Sequence, residues 1–165
     1  MQAEIYLKHL AEKLESYFDI EREKMIGEIK IDLFGRCHIK HVRTFLTPKD
    51  VVDSYESNEY FVVKVFEELT EEGLSSFEKF LRQVVMKSYV VPKEDHMCTV
   101  INGVAVIEKN LSEDVERKIK GYFYEKSFLF SLKGWSRINL AAVDLEKGRL
   151  VLSKKGRELE KILKP

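Results

Sequence analysis

At 165 residues, with 44% hydrophobic and 34% charged side chains, the chain is long enough to bury one core, and no apolar stretch in it reaches bilayer-spanning length. Its 28 basic residues balance its 28 acidic ones, which excludes a net field aimed at nucleic acid or a membrane. Three prolines and eight glycines exclude a long flexible linker, so residues 1–165 read as a single domain.

No targeting signal opens the chain, and Cys37 and Cys98 form no CxxC pair. The expectation is a cytoplasmic protein with reduced thiols, no cofactor and no membrane partner. Ala3, Leu7, Leu10, Leu14 and Tyr17 recur at helical spacing and predict an amphipathic first helix. Ile29, Ile31 and Leu33 alternate with Glu28, Lys30 and Asp32 as a half-buried strand does. Gly35 is the expected turn, with 37–46 returning as a second strand. Thr47 and Pro48 then supply a cap and a first-turn proline for a short helix over 49–56.

The run 60–66, Tyr-Phe-Val-Val-Lys-Val-Phe, is nearly continuous in apolar residues and predicts a strand covered on both faces. Thr70 caps the next helix, Glu71 and Glu72 favour its first turn, and Leu74, Phe77, Leu81 and Val84 give it a buried stripe. The plan repeats with a strand over 98–107 and a helix capped by Ser112. Asn102-Gly103 carries a hairpin signal, yet the apolar residues after it favour one strand with Gly103 at a bulge or close approach. Strands at 128–132, 138–144 and 149–152 follow, the last two joined at Lys147-Gly148, and a helix over 158–163 closes the chain. The predicted fold class is α/β: a mixed sheet flanked by helices, with a C-terminal hairpin and helix added.

Lys64 is the first candidate for chemistry. On a strand it shares a face with Val62 and Phe66, where an ammonium loses hydration unless it finds a partner or reaches the edge of the sheet. It reads either as a catalytic or anion-binding lysine, or as a strand-end lysine whose charge reaches water.

The run 59–66, followed by Leu69-Thr70 and a helix with Phe77 and Phe80, resembles the core of restriction-endonuclease-like nucleases, the PD-(D/E)xK fold. The resemblance implies an antiparallel pair, a strand bearing Glu-x-Lys, then helix, strand, helix and strand. It also implies Mg²⁺ held by an aspartate and a glutamate, with the lysine beside the attacking water. Lys64 falls on the motif lysine, but Val62 stands where the glutamate belongs. The expected return strand offers His38, His41 and Arg43 and no carboxylate, which leaves Asp32 as the one candidate acid. The resemblance therefore implies a degenerate active site. The segment 126–135, Lys-Ser-Phe-Leu-Phe-Ser-Leu-Lys-Gly-Trp, is also similar to that of a small uncharacterised prokaryotic family.

Charge is uneven along the chain. Residues 117–137 hold six Lys or Arg against Glu125 alone, about +5, and 147–165 reach about +5 again. Residues 50–78 hold nine acids against Lys64, about −8. Lys126, Lys133, Trp135 and Arg137, with Lys64, form the candidate ligand-binding set, since cations interleaved with an aromatic track phosphates and stack bases. Cys37 with His41, and His96 with Cys98, share strand faces and are the metal-ligand candidates for zinc. No GxSxG, GxxxxGK or GxGxxG motif occurs. The reading is a non-catalytic nuclease-like binding or adaptor module for nucleic acid or a protein. Its rivals are a divergent nuclease using Asp32, a zinc hydrolase, and a protein-interaction domain without ligand chemistry.

Overall fold

In a computed structural model, which describes residues 2–44 and 51–165 and only the backbone at 43, 44 and 51–53, one seven-stranded sheet organises the chain. Helix α1 (Ala3–Leu14) forms on its amphipathic stripe and buries Tyr6, Leu7, Leu10 and Leu14. The strands are β1 (Asp19–Ile26), β2 (Ile29–Thr44), β3 (Val51–Phe66), β4 (His96–Ile107), β5 (Tyr124–Ser127), β6 (Trp135–Asp144) and β7 (Arg149–Leu152). Their spatial order is β1-β2-β3-β4-β6-β5, with β7 also paired to β6. The first three strands run antiparallel, β3, β4 and β6 run parallel, and β5 and β7 pair antiparallel with β6.

Helix α2 (Glu71–Phe80) starts as expected, with the Thr70 hydroxyl accepting from the Gly73 amide at 3.0 Å. A π-helical turn (Leu81–Val85) carries it into α3 (Met86–Tyr89). Helix α4 (Glu113–Gly121) is capped by Ser112, and a 3₁₀ turn (Arg157–Leu159) leads into α5 (Glu160–Leu163). Helices α2, α3 and α4 cover one face of the sheet, and α1 and α5 cover part of the other. The Tyr6 hydroxyl donates to the Leu163 carbonyl at 2.7 Å and ties the two together.

Three expectations are corrected. The turn lies at Gly27 (φ 59) rather than Gly35, so 19–26, unrecognised in the sequence, is the strand that pairs with β2. Gly35 stays extended because β2 packs closely there: a Cβ on it would sit 3.3 Å from Ile20 and 3.5 Å from Phe61. Thr47, Pro48, Lys49 and Asp50 lie outside the described residues, and 51–56 opens β3 instead of forming a helix. The run 128–132 is a surface turn, with the strand just before it at β5.

Asn102-Gly103 lies inside one continuous strand, as read. Gly103 marks a close approach, since a Cβ there would fall 2.2 Å from Leu81 Cδ1 in the π-turn. The closing hairpin is also found, with Gly148 at φ 60 between β6 and β7.

Candidate functional site

The sheet brings Asp32 and Lys64 to one corner. Strand β3 lies between β2 and β4, and its ladder with β2 ends at Leu33 opposite Val63, which makes Asp32 and Lys64 the next cross-strand neighbours. Beyond that pair the Asp32 carboxylate replaces a backbone acceptor, taking the Val65 N–H at 2.7 Å. The half-buried Lys64 donates to the Lys30 carbonyl at 3.2 Å, its ammonium 5.8 Å from the centroid of the Phe66 ring. Glu23, at φ 52 in β1, pairs with Lys30 at 2.6 Å, which lowers its carboxyl pKa and raises that of the lysine. Val62, two residues before Lys64, is fully buried against α2. The corner therefore presents two carboxylates, Asp32 bonded to the backbone and Glu23 paired with Lys30, beside the Lys64 ammonium.

A second polar constellation crosses three strands and escaped the sequence reading. The Asn102 amide donates to Glu59 Oε1 at 2.7 Å, and the Asn139 amide donates to Asn102 Oδ1 at 2.9 Å. Both asparagines are fully buried, and Asn139 Oδ1 has no partner. Asn102 and Asn139 stand in register on parallel strands, so the amide ladder fixes alignment where the apolar side chains alone would permit a slip. Burial pushes the Glu59 carboxyl pKa up and nearby Glu158 adds to the rise, against the bond from Asn102. Glu59 lines a cleft of about 100 Å³ between Cys37 and Cys98. Burial, then Glu59 and Asp19, raise the Cys37 thiol pKa, which makes it a poor nucleophile. The one sequence signal for this ladder is an asparagine inside each of two apolar strand runs.

The predicted cationic set is dispersed. Trp135 aligns through Cys98 with Ser57 on β3, seven residues from Lys64, or about 23 Å at strand rise. Arg137 stacks at 4.7 Å on the Trp135 ring and gives two hydrogen bonds to Glu125, at 3.0 and 3.1 Å. Lys126 pairs across the ladder with Ser136 and lies over Phe128, on the opposite face from Arg137.

Between β5 and β6 the chain makes a tight turn. Leu129, Phe130 and Ser131 all adopt left-handed backbone angles (φ 47, 52 and 69), and Gly134 follows at φ 76. The Phe128 amide donates to the Gly134 carbonyl and the Lys133 amide to the Phe128 carbonyl, closing the base of the turn. Buried His96 holds that base, one ring nitrogen 2.7 Å from the Lys133 carbonyl and the other 2.8 Å from Thr99 Oγ1. With both nitrogens engaged, His96 has no lone pair directed at a metal. His41 Nε2 lies 3.4 Å from Ser57 Oγ, and among the described residues no three His, Cys, Asp or Glu side chains converge. No described helix is long and apolar enough to cross a membrane.

Against known proteins, the model of one family, described as Domain of unknown function (DUF8052), matches residues 2–165. No curated protein matches the chain.

Proposed function

We propose that this chain, which belongs to the DUF8052 family, is a non-catalytic interaction module built on a nuclease-like order of strands and helices. The element order supports the nuclease-like part: an antiparallel β1–β2–β3 meander, then α2, parallel β4, α4 and parallel β6. The loss of catalysis rests on one observation. The position that resemblance gives to a metal-binding glutamate is Val62, fully buried in the core beneath α2. Two-carboxylate metal chemistry needs a second free acid beside Asp32, but Glu23 is paired with Lys30 and Asp32 itself serves the β3 backbone. At this corner the Asp32 carboxylate and the Lys64 ammonium both bond to backbone groups, which ties β2 to β3.

An interaction role is supported by the other end of the sheet, where the turn between β5 and β6 displays Leu129, Phe130 and Leu132 to solvent. Nucleic acid fits this surface less well than protein, because Arg137 is neutralised by Glu125 and Lys64 stands far from Trp135.

The test is incubation of the full chain with supercoiled and single-stranded DNA and with RNA, in Mg²⁺ or Mn²⁺. The expected result is no product above that of Lys64→Ala and Asp32→Ala controls. A wild-type cleavage rate that both substitutions abolish would sink the non-catalytic reading.

A further inference from the structure

We infer that the turn after β5 docks the chain on an anionic lipid surface. Its apolar tip enters the bilayer interface, and the lysines beside it meet acidic headgroups. This rests on the interaction reading above and names the partner of that turn.

The tip is built to stay exposed. Non-glycine residues avoid the left-handed region, yet Leu129, Phe130 and Ser131 occupy it in succession. Leu129 is 60% exposed, Phe130 99% and Leu132 79%, so three large apolar side chains on one turn stand in water. His96 holds the base of the turn through the Lys133 carbonyl. The base also seats closely on β4, where a Cβ on Gly134 would lie 2.4 Å from the His96 and Met97 carbonyl oxygens. A fixed base leaves little further ordering to be lost when the tip inserts.

Charge selects the surface. Lys126 and Lys133 flank the tip in sequence, and neither has an acidic partner among the described residues. Lys87 is unpaired in the same sense, and it shares a groove with Lys126 and with Phe128 at the base of the turn. Other cations of this region are neutralised: Arg137 by Glu125, Lys118 by Glu71 and Lys120 by Glu116. Three unpaired lysines beside an apolar tip repel a basic partner, and a second copy of the same turn with it. They complement the negative headgroup layer of a bilayer, where apolar insertion and cation attraction act together.

Size points the same way. Three side chains on one turn fall far short of the about 800 Å² per partner that a stable protein interface buries. A bilayer accepts a small apolar anchor when a basic patch accompanies it. The balanced total charge, from which the sequence predicts no membrane partner, averages these lysines with the acidic stretch 50–78. What a bilayer meets is the local charge at the turn.

The experiment is cosedimentation of the full chain with vesicles of phosphatidylcholine alone, and of phosphatidylcholine with about 30% phosphatidylserine, in about 0.1 M salt. Phe130→Ser and the double variant Lys126→Gln/Lys133→Gln run alongside, each with a thermal melt. Wild type should bind the acidic vesicles and leave the neutral ones. Phe130→Ser should weaken binding about tenfold or more, and each lysine replaced about fivefold, with unchanged melts. If Phe130→Ser melts early, Leu132→Ser carries the same test with the same expected direction. Wild type left in solution at about 1 mM acidic lipid, equal binding to both vesicles, or binding indifferent to the apolar substitution would each overturn the proposal. A chain that ignores lipid and instead doubles its 19.4 kDa mass through Phe130 would overturn it too, and would assign the tip to a protein partner. The nuclease assay is untouched by any of these outcomes, so the two readings fail separately.

Discussion

The middle strand of the sheet and the turn after β5 treat the same kinds of side chain in opposite ways. In β3, Phe61, Val62 and Val63 are fully buried between two strand neighbours and two helical layers. In the turn, Phe130 is almost fully exposed on a backbone that only glycine adopts without cost. The first region uses apolar residues to exclude water and leaves no room for a metal ligand. The second spends conformational strain to keep apolar residues wet. The two regions can be broken separately.

The largest effect is expected in the strand. Val62→Glu supplies the carboxylate that the nuclease-like pattern lacks, but places it in the apolar cluster of Phe77, Phe80 and Leu81. An uncompensated buried charge of this kind costs about 3–5 kcal/mol. Urea denaturation should show a loss of that size, and the variant should show no metal-dependent cleavage. A variant as stable as wild type would mean that β3 is hydrated at this point, contrary to its position in the sheet.

The turn should break next most readily, and through its glycine rather than its apolar tip. Gly134→Ala combines a left-handed backbone angle with overlap on two carbonyl oxygens that belong to the β4 strand and cannot swing away. The expected cost is about 2–4 kcal/mol. Urea denaturation should show a loss of that size. An unchanged urea midpoint in Gly134→Ala would show that the turn needs no fixed base.

The same contrast explains what could be read before folding. The run 60–66 and the two strand–helix units were legible because their periodicity and caps are local and agree with their surroundings: Thr70 and Ser112 both cap as predicted. The turn was not legible, because Phe128, Phe130 and Leu132 alternate like a strand and only the conformation of three consecutive residues separates the outcomes. Strand β1 was hidden by its composition, Asp-Ile-Glu-Arg-Glu-Lys-Met-Ile, whose charges suit an edge strand that must repel further pairing. Asp32 and Lys64 were both named as candidates, but they lie 32 positions apart and their adjacency depends on the register of the β2–β3 ladder, which no local pattern encodes. The Glu59–Asn102–Asn139 ladder was missed for a like reason: each residue is unremarkable alone, and the bonds exist only once β3, β4 and β6 align.

Glu59 gives the smallest expected effect and the finest test, because it sits where β3 leaves its cover. Burial raises its carboxyl pKa in the folded protein, with Glu158 adding to the rise, so the native state holds this proton more tightly than the unfolded chain does. Its contribution to stability is therefore complete below the unfolded carboxylate range and is lost as pH climbs through the raised folded value. Glu59→Gln keeps an oxygen for the Asn102 amide and removes the charge. The variant should match wild type near about pH 4 and exceed it near about pH 7 by no more than about 1 kcal/mol, read as the difference in urea midpoints across that range. A gap that stays constant, or widens toward acid, would mean that Glu59 is solvated in the folded state. It would then belong with the exposed region rather than with the strand that carries it.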